Sequence, residues 1–100
     1  MKEELLKIIN NYGLKHQLKY IHSEYYELDE AILNEEFEHH QESIEHIAEE
    51  LSDCFVMLKQ FQYYYEIPDE DIERIMKYKI DRQLRRIYEE NIWVKDLWKT

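Results

Sequence analysis

Gly13 is the only glycine and Pro68 the only proline in this chain of 100 residues, where average usage supplies roughly 12 of the two together. Folds that turn often draw heavily on both: sandwiches at their hairpins, nucleotide folds in their glycine loops, disordered linkers throughout. A chain with one of each is a poor candidate for any of them. What remains is a fold of long helices, punctuated where Gly13 and Pro68 stand. The length bounds it to one domain, residues 1–100, with a modest core.

Apolar spacing places the helices. Gly13 closes a short leading helix built on Leu5, Ile8 and Ile9. From there Leu14, Leu18, Ile21, Tyr25, Leu28 and Ile32 recur in alternating steps of four and three, a helical seam that excludes a strand. The stretch 34–41 breaks the pattern and reads as a polar connection. A second seam runs Ile44, Ile47, Leu51, Cys54, Leu58, Phe61, Tyr65 and stops near Ile67 and Pro68. Asp69, Glu70 and Asp71 then favour the positive end of a new helix, which uses Ile72, Ile75, Tyr78 or Lys79, Arg82 and Ile87. It frays into a short tail, 91–100, holding Trp93 and Trp98. The expected fold is all-α, an antiparallel helical bundle with a short leading helix and three longer ones. Helices this amphipathic in so short a chain complete their core against a second copy, so a homodimer or homotetramer is expected; a compact monomer is the competing account.

Charge narrows the partners. The chain carries 23 acids and 13 bases, a net of −10, which disfavours clamping a nucleic acid duplex. Residues 1–50 hold 13 of the acids and 4 of the bases, while Arg74, Lys77, Lys79, Arg82, Arg85 and Arg86 crowd into the last helix. No signal-peptide pattern or membrane-length apolar run occurs, and the lone Cys54 lies in an apolar stretch as a structural thiol. A cytoplasmic protein is expected.

Two acid pairs stand out by position. Glu24 and Glu27 lie three apart on the first long helix, Glu50 and Asp53 three apart on the second, and residues so spaced project from one side of a helix. Both pairs flank their seams, so antiparallel packing brings four carboxylates to the edge of the core. Four such groups repel unless a cation sits among them, and hard oxygen ligands select Mg²⁺, or Mn²⁺, over zinc. A Mg²⁺ held this way typically bridges to substrate phosphates. With 23 acids, pairs three apart also arise by chance, and ordinary solvated faces are the alternative.

The run Glu24-x-x-Glu27, a gap of 22 residues, then Glu50-x-x-Asp53 resembles the signature of the MazG-like all-α nucleoside triphosphate pyrophosphohydrolases. Gln17, seven positions before Glu24, matches the first motif helix; Glu50-Leu-Ser-Asp53 looks like the second motif, and Ile75-x-x-x-Lys79 running on to Arg86 like the closing basic helix. The likeness covers roughly residues 8–88. It implies a hydrolase that converts a nucleoside triphosphate to the monophosphate and pyrophosphate, in nucleotide-pool housekeeping. By that likeness Glu24, Glu27, Glu50 and Asp53 would bind Mg²⁺ as the catalytic centre, and Gln17 would meet the substrate.

One position departs from the pattern. The family opens its first motif with two adjacent glutamates, and this chain has Ser23-Glu24. The general base is thereby unassigned, with Glu49 or metal-bound hydroxide as the alternatives. On the last helix Arg74, Lys77 and Arg85 each follow an acid by four residues (Glu70, Glu73 and Asp81), a favourable order for ion pairing. Lys79, Arg82 and Arg86 have no such partner and share a stripe, which suits them to triphosphate oxygens; pairing with Glu89 and Glu90 is the alternative. His16, His22, His39, His40 and His46 lack the spacing of a zinc motif and read as solvated or loop residues. Tyr63-Tyr64-Tyr65 reads as an oligomer contact, and Tyr20 and Tyr26 could flank a base. The competing function is a catalytically degenerate nucleotide binder or a protein-interaction helical oligomer.

Overall fold

A computed structural model of the chain describes residues 1–38 and 41–99, with side chains for 1–34 and 44–91. The fold is all-α: α1 Lys2–Tyr12, α2 Leu14–Glu38, α3 Gln41–Tyr64 and α4 Asp69–Lys99, with no strand among the described residues. Two compact units make up the chain, Met1–Glu66 with the first three helices and Ile67–Thr100 with the fourth. No helix among the described residues is long and apolar enough to cross a membrane.

Gly13 marks the first boundary, as its position implies. Its φ of 90° and ψ of 152° lie where a side chain is strained, and its N–H donates to the Ile9 carbonyl at 2.7 Å. The break is a single residue long, so α2 starts at once and the Gly13 carbonyl accepts from Gln17 N–H at 3.1 Å. α1 folds against both longer helices and buries Leu5 and Ile9. At the far end of α3 a second left-handed residue, Glu66 at φ 57°, ends the helix. Pro68 then accepts the first bonds of α4, from Asp71 and Ile72 N–H at 3.1 and 3.3 Å, and the acidic first turn follows.

Three sequence-level expectations shift. α2 continues through Glu38, so most of the expected connection at 34–41 is helical; Glu35, Glu36 and Glu38 are good helix formers and nothing there terminates a helix. α4 likewise runs to Lys99 in place of a tail over 91–100, because no breaker follows Pro68. The side chains of Trp93 and Trp98 lie outside the described residues.

The third shift concerns packing. α2 and α3 run antiparallel, with Gln17 meeting Gln60 and Glu27 meeting Glu50. The line of closest packing passes through Gln17, Glu24 and Ala31 on α2 and through Glu50 and Met57 on α3, all buried. Of the apolar seams, Leu14, Ile21, Leu28, Ile47, Cys54 and Phe61 are half-buried beside that line, and the others lie one position further along each helix. Leu18, Tyr25 and Ile32 are exposed, as are Leu51 and Leu58. Gln17 holds its place on the contact line by bonding across it to Gln60, which an apolar period alone does not reveal.

Candidate metal centre

Glu24 lies on the α2 contact line, one heptad past Gln17, and Glu27 lies one turn further toward the edge. Antiparallel packing sets Glu50 of α3 beside them. Glu24, Glu27 and Glu50 each bring a carboxylate oxygen within 4.8 Å of the others. Glu24 and Glu50 are only 6% and 8% exposed, and Oε2 of each is buried with no hydrogen-bond donor. Such a pair of buried, unsatisfied oxygens beside a third carboxylate is unfavourable by itself. Asp53, the fourth expected ligand, is exposed and outside the triad, but lines one hollow with Glu24.

The electrostatics follow from this crowding. Burial pushes the Glu50 carboxyl above its ordinary range, and the neighbouring Glu27 and Asp53 charges push the same way. His46 opposes them, its Nε2 standing 3.8 Å from Glu50 Oε1. The Tyr20 hydroxyl donates to Glu24, and its phenol is held above the usual value because losing that proton would face the carboxylate. The half-buried Cys54 thiol is likewise raised, by burial first and by the surrounding acids second, which keeps it protonated.

Two hollows meet at the triad. One, about 320 Å³, is lined by Glu24 and Asp53 together with Tyr12, His16, Gln17, Tyr20, Met57 and Gln60. The other, about 420 Å³, is lined by Glu27 and Glu50 with Tyr26, Glu30, Asn34 and His46. The first has an organised wall. Tyr12, His16 and Tyr20 stack at centroid distances of 5.0 and 6.2 Å. His16 Nδ1 donates to Gln17 Oε1 at 2.8 Å, and Gln17 Nε2 donates to Gln60 Oε1 at 2.8 Å. The remaining amide protons face the Met57 sulfur, 3.9 Å from Gln17 and 3.6 Å from Gln60, a weak acceptor.

Sequence reasoning placed Gln17, Glu24, Glu27 and Glu50, and it missed Gln60, Met57 and the Tyr12–His16–Tyr20 ladder. The ladder was findable as aromatic and imidazole rings recurring every four residues. Gln60 carried no comparable signal. His16, His22 and His46 are exposed, as expected, with His16 bonded to Gln17 and His46 beside Glu49 and Glu50, while His39 and His40 lie outside the described residues. Of the tyrosine run, Tyr63 has Lys2 and Lys59 over its ring at 5.6 and 5.4 Å, and Tyr64 meets Tyr65 edge-on at 5.1 Å.

The expected basic residues belong to α4. Lys79 and Arg86 are exposed, and the Arg82 guanidinium lies over the Tyr78 ring at 5.9 Å with Nε buried and unbonded. Lys77 pairs with Glu73 at 3.5 Å as expected, whereas Arg74 takes Asp71 at 3.8 Å in place of Glu70. These pairs are exposed and contribute little.

Fold and centre together define an all-α protein with a partly buried carboxylate triad able to hold a metal ion. No family profile, curated protein or solved structure matches the chain.

Proposed function

We propose that the chain is a Mg²⁺-dependent nucleoside triphosphate pyrophosphohydrolase, cytoplasmic and homo-oligomeric, that releases a nucleoside monophosphate and pyrophosphate. The observation that carries the reading is the pair of buried, unpartnered oxygens on Glu24 and Glu50 beside Glu27. An all-oxygen donor set suits Mg²⁺ or Mn²⁺. Glu24, Glu27 and Glu50 would hold the ion, joined by Asp53, which lines one hollow with Glu24. When bound, it neutralises charge on the phosphate chain and lowers the pKa of a coordinated water.

The chain's own groups supply the rest. Tyr20, through its bond to Glu24, fixes one ligand's orientation, and His46 favours the ionised form of Glu50. The hollow beside Glu24 suits a base, with stacked rings on one wall and amide protons of Gln17 and Gln60 held against a poor acceptor. A ring carbonyl or nitrogen would accept from those amides better than sulfur does. Lys79 and Arg86 are the cations that the family resemblance assigns to phosphate, and Arg82 shares their stripe; on that reading Lys79→Ala and Arg86→Ala raise KM more than they lower kcat.

The test is pyrophosphate release from a panel of canonical and modified nucleoside triphosphates with Mg²⁺. Turnover of at least one, abolished by chelator, is expected; release from none would sink the enzymatic reading. Ser23, exposed where the family carries an acid, favours the second reading of a degenerate nucleotide binder. That reading predicts thermal stabilisation by Mg²⁺ plus nucleotide without turnover.

A further inference from the structure

The hollow beside Glu24 has a polarity set by its buried amides. Gln17 and Gln60 are 3% and 1% exposed, and both line it together with Met57. Two amides bonded side by side at 2.8 Å can stand in either of two senses, with oxygens and nitrogens exchanged. Here the surroundings choose between them. At one end Gln17 Oε1 accepts from His16 Nδ1 at 2.8 Å, so the imidazole carries a proton on that nitrogen. At the other, the Nε2 groups of Gln17 and Gln60 stand 3.9 and 3.6 Å from the Met57 sulfur. The reverse sense would set two carbonyl oxygens against the sulfur lone pairs, with no bond in place of two weak ones. Both amide oxygens are thus engaged along His16–Gln17–Gln60, and N–H groups from both residues converge on one atom.

That convergence says which atom of a ligand fits. Sulfur accepts weakly, so both donors are poorly satisfied in the free protein. Two N–H groups aimed at one point match a carbonyl oxygen, which has two lone pairs. A ring nitrogen has one and leaves a donor stranded. An amino group fits worse still, because it brings N–H against N–H. Met57 can make way, being unbranched with three rotatable bonds and itself part of the lining. The stacked rings of Tyr12, His16 and Tyr20 offer a wall to the flat ring that carries such a carbonyl.

We propose that Gln60, acting with Gln17, is a specificity-determining residue that selects a base bearing an oxo group over adenine. His16 is the positioning residue that fixes the sense of the amide pair, and Met57 is a stand-in acceptor that the ligand's oxygen replaces. Guanine, uracil, thymine and cytosine each carry such an oxygen, and adenine carries none. A site whose buried donors lose their partner with the wrong ligand discriminates strongly against it. That the ring belongs to a nucleotide rests on the pyrophosphohydrolase reading; the preference for an oxo group rests on the amides alone.

The test titrates uncharged nucleosides into the full chain without metal, so that the triad plays no part, and follows the side-chain amide signals of Gln17 and Gln60 by NMR. Inosine and adenosine are a matched pair, with an oxo or an amino group at the same ring position, and uridine is a smaller oxo ring. Inosine or uridine should shift both signals and bind at least about tenfold tighter than adenosine. Gln60→Leu should bring that ratio to within about twofold, with helical circular dichroism retained. His16→Phe keeps a ring in the stack and removes the donor, so it too should lower the ratio. Met57→Leu should keep the ratio and bind the oxo nucleosides at least as tightly as the parent. If Gln60→Leu loses its helical signal, His16→Phe decides, because His16 is exposed. Adenosine bound as tightly as the oxo nucleosides overturns the proposal. So does an absence of binding by all of them, an undiminished ratio in a folded Gln60→Leu or His16→Phe variant, or a ratio lost in Met57→Leu. Pyrophosphate release separates this from the reading it rests on. Turnover without nucleoside selectivity sinks the oxo preference alone, whereas selectivity without turnover sinks the enzyme and leaves the preference standing.

Discussion

At the scale of single residues, the informative atoms are the polar ones that the fold buries. Glu50 is held above its ordinary pKa chiefly because it is desolvated, with Glu27 and Asp53 adding repulsion. Glu50→Gln removes that burden and one ligand together. Without metal it should melt at a higher temperature than the parent; with Mg²⁺ it should gain nothing further and lose pyrophosphate release by on the order of 100-fold or more. Thermal melts with and without Mg²⁺ read the first two effects; full activity would refute the ligand assignment. The amide pair makes a second case. Gln60 is 1% exposed and its oxygen accepts from Gln17, so Gln60→Leu strands a buried donor, at a cost of about 1–2 kcal/mol in urea denaturation. Adding Gln17→Leu removes the stranded donor and should recover much of that loss. Spacing made the four acids legible, since helical offsets of three translate directly into a shared side. It could not show that Asp53 stands outside the triad, nor that Gln60 meets Gln17, because both depend on the register between helices.

At the scale of elements, helix identity and number were legible from the scarcity of breakers, and the packing face was not. Gly13 and Pro68 each stand at a boundary, and the segment between 34 and 41 looked like a break only because its apolar period lapsed. A lapse in period says that a face is unburied, while glutamates keep the backbone helical. The seams were correctly placed along α2 and α3, but part of each is turned by one residue from the contact line. Apolar residues mark where a helix must be covered; they do not say by which neighbour. Gly13 tests how much a junction depends on backbone alone. No atom lies within 4 Å of where its Cβ would be, so Gly13→Ala meets no clash and pays only for φ 90°. Thermal or chemical denaturation should show a loss of about 1–3 kcal/mol. A neutral result would mean that the α1–α2 junction relaxes into another conformation.

At the scale of the whole molecule, charge and connectivity govern behaviour. A net charge of −10 makes the metal-free chain self-repelling, so its melting temperature should rise with added sodium chloride as screening shortens to about 10 Å at 0.1 M. Mg²⁺ at matched ionic strength should stabilise more than sodium does. Equal stabilisation by the two would leave screening as the whole effect and remove the case for a metal centre.

The short links at Gly13 and between α2 and α3 have a kinetic consequence. α1 meets α2 almost without a loop and α2 returns as α3 after two residues, so the α2–α3 pair forms between neighbours along the chain, whereas α1 packs more on α3 than on α2. Bringing such partners together costs little loop-closure entropy, and chains rich in local contacts cross their folding barrier in microseconds to milliseconds. The helix pair that carries the carboxylates should therefore assemble within a stopped-flow dead time, well before any slower step that depends on two molecules meeting.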